Sequence, residues 1–255
     1  MHCLNTRSVM KTLFLTFTTL LFTHFNALAC SKTLVMGTNE TNWPPYLVKQ
    51  GDTFLGTEVD AVNAIFKDSK FCIKWTYFPS FSRVQAELEN GRVDITYAAS
   101  YTEQRAQYAH FSLPYREEIM LLYKHKDSAD VTSLADLFSQ DFTAGINRGS
   151  FFGDELEQLT TKYSKQVVLT AQANNRFSML DKKRIDYVIE DSVVAQYFVK
   201  KHSSISQVKT ITPINVNNVH FMLSKESLTL DDVATVNQLI TKNKAAIKSI
   251  YQPVH

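Results

Sequence analysis

Glycine is scarce in this chain, with seven in 255 residues. There is no G-x-S-x-G turn to present a nucleophilic serine and no glycine-rich loop to cradle a phosphate. The seven histidines form no pair at metal-ligand spacing, so neither a metal site nor a cofactor is expected. Charge of one sign is lacking as well. Arg7 and Lys11 are the only charged residues among the first 29, so residues 30–255 carry 25 basic and 25 acidic side chains. Such a balance leaves no footprint for nucleic acid. The apolar run from Thr12 to Phe22 is diluted by threonine and too short to span a membrane. What remains is an ordinary globular composition, 44% hydrophobic and 20% charged, at a length that suits two modest domains.

Residues 1–29 read as a secretory signal peptide, placing the mature protein in the periplasm. Lys11 precedes the apolar run, and Ala27-Leu28-Ala29 supplies a small-residue cleavage pattern. Met10-Lys11-Thr12 would itself open a typical signal, so either Met1 or Met10 serves as the start. Cleavage after Ala29 removes Cys3 and leaves Cys30 and Cys72 in an oxidising compartment. Two readings of Cys30 compete. Ala27-Leu28-Ala29-Cys30 resembles a lipoprotein site, which would anchor the chain through Cys30, although an aliphatic residue is usual where Ala27 stands. The other reading is a disulfide with Cys72. Cys30 precedes a strand at Thr33–Thr38 and Cys72 opens one at Cys72–Phe78. Parallel neighbours would put both cysteines at one end of a sheet, which favours the disulfide.

The stretch from Gly91 to Tyr115 carries the densest chemistry. Val93, Ile95 and Tyr97 alternate with Asp94, Thr96 and Ala98, as in a strand. Ala98, Ala99 and Ser100 are small enough to let a ligand near the backbone. Thr102, Glu103 and Arg105 then open a helix, whose free N–H groups attract anions. Arg105 adds a planar, permanently charged fork suited to a carboxylate. The plain alternative for Arg105 is a surface ion pair with Glu103.

Upstream, the prolines of Asn42-Trp43-Pro44-Pro45-Tyr46 forbid helix and fix two aromatics after the first strand. Trp43 and Tyr46 either cover the sheet end or wall a ligand pocket, as does Phe81 at the start of a helix spanning Ser80–Asn90. A helix over Glu58–Lys67 takes Thr57 as N-cap, with Asp60 in a capping-box position, so Glu58 and Asp60 read as helix-start acids. The polar stretch His125–Asp130 follows a strand at Ile119–Lys124 and suits a passage between domains.

The second unit repeats the alternation. Ser133 caps a helix to Phe138, strands are expected at Phe142–Ile146, Gln166–Thr170, Arg184–Glu190 and Val208–Ile211, and helices at Phe151–Tyr163, Asn174–Lys182 and Ser192–Lys201. Val219–Leu223 leads back, and a helical region runs over Leu230–Tyr251. With so few glycines, Gly149 marks a place where backbone must come close to something. Ser150 beside it reads as an N-cap or as a ligand contact. Asp191 ends a strand and either caps the next helix or accepts an ammonium. Alternation turns Glu190 away from Asp191, leaving no extra carboxylate for acid–base catalysis in the cleft. Arg105, Ser100, Thr102 and Ser150 for a carboxylate, with Asp191 for an ammonium, describe a site for a zwitterion.

At this point the chain resembles family 3 solute-binding proteins, the periplasmic polar amino-acid binders of ABC transporters. The likeness runs over about residues 33–250. It is carried by Asn42-Trp43-Pro44-Pro45-Tyr46, Gly56-Thr57-Glu58-Val59-Asp60, Leu88-Glu89-Asn90-Gly91-Arg92-Val93-Asp94-Ile95 and Thr102-Glu103-Gln104-Arg105. It continues in Phe111-Ser112-Leu113-Pro114-Tyr115, Arg184-Ile185-Asp186-Tyr187 and Asp191-Ser192. The resemblance implies an α/β fold of type II, two lobes of mainly parallel sheet flanked by helices and joined by two hinge strands. Residues 30–121 with 222–255 would make lobe one, and 122–221 lobe two. It implies a monomer that closes on an amino acid, holds its carboxylate by Arg105, Thr102, Ser100 and Ser150 and its ammonium by Asp191, and serves an ABC permease. Departures are Ala98 where Gly or Ser is usual, Phe81 where Trp is frequent, and a loosely matching Gly145–Ser150. A sensory module feeding a membrane receptor is the alternative. A dehydratase on the same fold is a further one.

Overall fold

The computed structural model describes residues 30–211 and 213–251, so the signal-peptide assignment at 1–29 lies outside the described residues. The chain opens with β1 (Lys32–Thr38), a small hairpin sheet of β2 (Asn42–Trp43), β3 (Leu47–Gln50) and β4 (Thr53–Leu55), then α1 (Thr57–Phe66) and β5 (Phe71–Tyr77). It continues through α2 (Phe81–Glu89), β6 (Ile95–Ser100), α3 (Glu103–Tyr108), β7 (Ala109–Phe111) and the long β8 (Arg116–His125). Next come α4 (Leu134–Ser139), β9 (Ala144–Asn147), α5 (Asp154–Lys162), β10 (Val167–Thr170), α6 (Ala173–Asp181), β11 (Tyr187–Asp191) and α7 (Ser192–Lys201). The chain ends with β12 (Ile205–Gln207), the long β13 (Asn215–Ser224), α8 (Leu230–Lys242) and α9 (Lys244–Tyr251).

The main sheet runs β10-β9-β11-β8-β13-β6-β1-β5, with β12 added on β8 and β7 on β13. Its outer strands pair in parallel at both ends, β5-β1-β6 on one side and β10-β9-β11 on the other. Between them β8 and β13 are antiparallel to each other over Arg116–Met120 and Asn215–Val219. Beyond that overlap β8 pairs with β11 and β13 with β6. The chain therefore passes from one half of the sheet to the other at Arg116–Met120 and returns at Asn215–Val219. The polar stretch His125–Asp130 lies after this crossing, between β8 and α4.

One apolar cluster runs through both halves, from Leu34 and Leu47 to Phe177 and Phe198. Leu34 and Met36 of β1 meet Val59, Val62 and Ile65 of α1, which α8 covers with Val233, Val236 and Ile240. In the other half Leu122, Ile146 and Ile189 pack against Leu134, Leu137, Phe138 and Leu156. Fully burying each such side chain stabilises the fold by roughly 1.5–3 kcal/mol.

Local signals held at several helix starts but not at all of them. Ser80 accepts from the Arg83 amide, Ser133 from Asp136, and α7 starts at Ser192 as its sequence implies. The expected Thr57 cap does not form. Gly56 is the N-cap of α1, at φ 127°, and the first amides donate instead to the carbonyls of Pro45 (3.0 Å) and Tyr46 (2.9 Å). Tertiary acceptors thus replace the side-chain cap. The last strand of the second unit lies at Ile205–Gln207, paired antiparallel with β8, and not at Val208–Ile211. Leu230–Tyr251 is two helices, broken at Asn243.

Cys30 and Cys72 are bonded, with Cα atoms 5.4 Å apart. The parallel register Thr33↔Cys72 brings them to the same sheet end. With its sulfur joined to Cys72, Cys30 has none to offer a thioether-linked lipid. Replacing both cysteines by serine should lower unfolding free energy by up to ~4 kcal/mol, the chain-entropy value for a loop of this length. Urea unfolding measures that loss, and thiol titration of the unreduced protein should find neither Cys30 nor Cys72.

Candidate functional site

β6 delivers Ser100 to the middle of the sheet, and Thr102 turns the chain into α3 by accepting from the Arg105 amide at 3.2 Å. That cap fixes where Arg105 leaves the backbone. Its guanidinium donates to the Ser100 carbonyl (2.8 Å) and to the Gly149 carbonyl of the opposite half (2.9 Å), and lies 5.4 Å from the Phe81 ring centroid. Arg105 is 6% exposed. The alternative, a surface pair with Glu103, does not form, and Glu103 accepts from the Tyr101 hydroxyl. Among the described residues no carboxylate lies within ion-pair distance of Arg105, and burial pulls its pKa below the usual arginine value. A buried guanidinium without a counter-ion is costly, and only part of its five-donor fork is used.

The opposing wall comes from the turn after β9. Gly149 has φ +83°, and a Cβ there would meet the Ser82 hydroxyl at 2.5 Å and its amide nitrogen at 3.0 Å. Its carbonyl also accepts from Gln85 at 3.2 Å. Only a residue without a side chain permits this approach. Ser150 is not the N-cap of the next helix. Phe151 and Phe152 lie outside any helix or strand, Phe152 is buried, and α5 starts after Gly153, so the Ser150 hydroxyl accepts from Asn147 at 2.8 Å instead.

A cavity of about 60 Å³ lies between these walls. Trp43, Phe81, Ser100, Arg105 and Ser150 line it, while Thr102 lines a larger groove on the outer side of Arg105. Tyr46 is set back and stacks on the Arg116 guanidinium, 4.3 Å from its ring centroid. Asp191 caps α7, accepting from the amides of Val193 (2.9 Å) and Val194 (3.1 Å), and is not among the lining residues. Burial raises its carboxyl pKa, against the lowering effect of Arg116.

Three carboxylates lie on the cavity wall: Glu40 and Glu118, which the sequence reading did not single out, and Glu190. Glu190 was expected to face away. Alternation does separate the two acids, since Glu190 lines the cavity and Asp191 does not; the side that faces the cavity is the reverse of the one expected. Glu190 pairs with buried Arg176 on α6. Glu40, two residues beyond β1, accepts from Asn39 at 3.1 Å through one oxygen, and its other oxygen is buried without a partner. Burial drives its pKa up to about 8, against the opposing pull of Arg176. The one sequence cue was position, an acid directly after a strand end. Glu58, taken as a helix-start acid, is fully buried and accepts from Arg116 (3.1 Å), the Tyr251 hydroxyl (3.0 Å) and the Tyr115 hydroxyl.

The rims also touch. Gln172 Nε2 donates to the Asn39 carbonyl at 2.7 Å, and its Oε1 accepts from the Thr41 hydroxyl at 3.0 Å. The halves are thus bridged on both sides of a cavity with room for only a few waters.

Two α/β halves, two crossing strands and a cavity between them define the type II periplasmic binding protein fold. The chain belongs to the bacterial extracellular solute-binding proteins, family 3, whose sequence profile matches residues 34–252. It is similar to the arginine-binding extracellular protein ArtP of Bacillus subtilis, 24% identical over 175 residues, or 68% of this chain and 67% of that protein. It therefore spans about two thirds of that relative. Among solved structures, an ancestral arginine-binding protein bound to arginine superposes with TM-score 0.74 at 23% identity, covering 86% of this chain and 96% of the other. A histidine kinase sensor domain with similarity to periplasmic binding proteins superposes with TM-score 0.73 at 20% identity, covering 85% and 94%. Among the described residues no helix is long and apolar enough to cross a membrane. A solute-binding role follows from the family.

Glu40 gives the site a pH signature. Its pKa is raised from 4.5 to about 8 on folding, so the native state holds the proton more tightly than the unfolded chain. The stability this contributes is full below the unfolded pKa and is lost as pH rises through the folded one. Glu40→Gln should therefore gain stability relative to the parent as pH goes from about 5 to about 9, measured as urea midpoints across that range.

Proposed function

We propose that this chain is a periplasmic binding protein that captures a zwitterionic amino acid between its lobes and delivers it to an ABC permease. The observation that carries the reading is Arg105, buried at the cavity without a carboxylate partner. A ligand carboxylate supplies the missing charge, with Ser100, Thr102 and Ser150 adding hydrogen bonds around it. The ammonium goes to the acidic side, where Asp191 stands. Trp43 and Phe81 wall the ligand, and Tyr46 backs the wall through Arg116.

Residues 30–121 with 222–255 move as one lobe and 122–221 as the other, flexing where β8 and β13 overlap. Entry needs such motion, because a cavity of about 60 Å³ cannot admit an amino acid as it stands. The protein acts as a monomer and without a cofactor. We read it as a binder and not an enzyme: its buried acids hold arginines and ligand charge. Handing the ligand to a membrane receptor is the second reading, favoured by the likeness to a sensor domain.

A thermal-shift screen over the standard L-amino acids tests the class, since a ligand bound only by the folded state raises Tm. No shift with any of them would remove the proposal, and scattering that stays unchanged with a confirmed ligand would remove lobe closure. Arg105→Ala should weaken binding of the hit by about 100-fold or more, the loss of a charge-assisted bidentate contact. Near-parental affinity by calorimetry would rule out the carboxylate site. Asp191→Asn should weaken the amino acid more than its 2-deamino analogue, and equal losses would make Asp191 a helix cap only.

A further inference from the structure

Glu118 sits on β8 inside the overlap with β13, opposite Asn217. It is 5% exposed and lines the cavity together with Met120, two residues further along the same strand face. Two residues before it, Arg116 donates through Nη2 to Glu118 Oε1 at 2.9 Å and through Nε to Glu58 Oε2 at 3.1 Å. Glu58 has the Tyr115 and Tyr251 hydroxyls besides. Among the described residues Glu118 has only its share of Arg116.

The charges around this group do not balance. Two buried carboxylates, Glu58 and Glu118, share one guanidinium. The aromatic faces of Tyr46, Trp43 and Tyr251 surround Arg116 without bringing a second cation. Asp191 adds negative charge from the β11 side. Arg105, whose field also reaches Glu118, is spent on the Ser100 and Gly149 carbonyls. Burying an uncompensated carboxylate is expensive unless a cation arrives to pair with it.

We infer that Glu118 is a direct acceptor for the ligand's ammonium group, which it shares with Asp191, so that the amine is recognised from the hinge strand itself. The inference rests on the amino-acid reading above and deepens it. An ammonium carries three donors and fits a site offering more than one carboxylate. Arg105 takes the opposite end of the same molecule. Burial, with Asp191 and Glu58 adding to it against Arg116, raises the Glu118 pKa to about 7. Ammonium binding favours the ionised form, so the complex forms with net proton release near neutral pH and affinity rises from about pH 6 to about pH 8.

The test uses the mature protein and the strongest amino-acid hit from the Tm screen, beside the 2-deamino analogue of that hit. Glu118→Gln should weaken the amino acid by at least about tenfold at pH 8, flatten its pH 6–8 profile, and leave the deamino analogue within about twofold. Equal losses for both ligands would make Glu118 structural and overturn the inference. So would an unchanged affinity and pH profile, which assigns the ammonium to Asp191 alone. Calorimetry of the parent protein at about pH 7, in two buffers of different ionisation enthalpy, stands even if the variant does not fold. Proton release on binding is expected, and none would overturn the inference. A screen with no hit at all would fail the amino-acid reading first and take this inference with it.

Discussion

Five facing residue pairs between β8 and β13, from Arg116↔Val219 to Asn215↔Met120, are where the two halves of the sheet meet through backbone. Everything functional is arranged around that short antiparallel overlap. Antiparallel pairing lets the chain leave one parallel sheet and return to it without a knot. Both crossings therefore sit side by side. The cavity lies directly against this overlap, with Glu118 and Met120 in its wall.

The buried charges follow from that placement. Arg116, at the start of the crossing, ties Glu58 of α1 to Glu118 of the hinge strand, and Tyr251 of α9 joins the same cluster. Removing one member of such a cluster leaves another charge buried and unpaired, which costs more than the pair contributes. The cluster holds the hinge strand, the first helix and the last helix in one register. Arg105 works differently. It belongs to one half, reaches the Gly149 carbonyl of the other, and still has donors to spare. In the proposed reading, a ligand carboxylate and the contact between the halves would draw on the same guanidinium.

Elements with explicit local chemistry were legible in the sequence. The α2 boundaries, the Ser133 cap, the α7 start and the parallel βαβ order each rest on one cap residue or one hydrophobic period, and these act over a few neighbours. The disulfide followed from export and strand order together. The misses share a cause. Thr57 lost its cap to the Pro45 and Tyr46 carbonyls, and Ser150 lost its helix to the burial of Phe152. Strand alternation did separate Glu190 from Asp191, but which of the two faces the cavity was set by how the halves pack. In each case tertiary packing overrode a local preference.

Sequence alone determined the α/β class, the family and the helix start that carries Arg105. These depend on periodicity, on capping and on an ordered series of short motifs, all written along the chain. Tertiary structure decided which acids face the cavity, where the chain crosses between halves, and that Gly149 closes onto Ser82. Those outcomes depend on strand order and on charges brought together across more than fifty residues, as Glu58 and Arg116 are, and no local pattern encodes that separation.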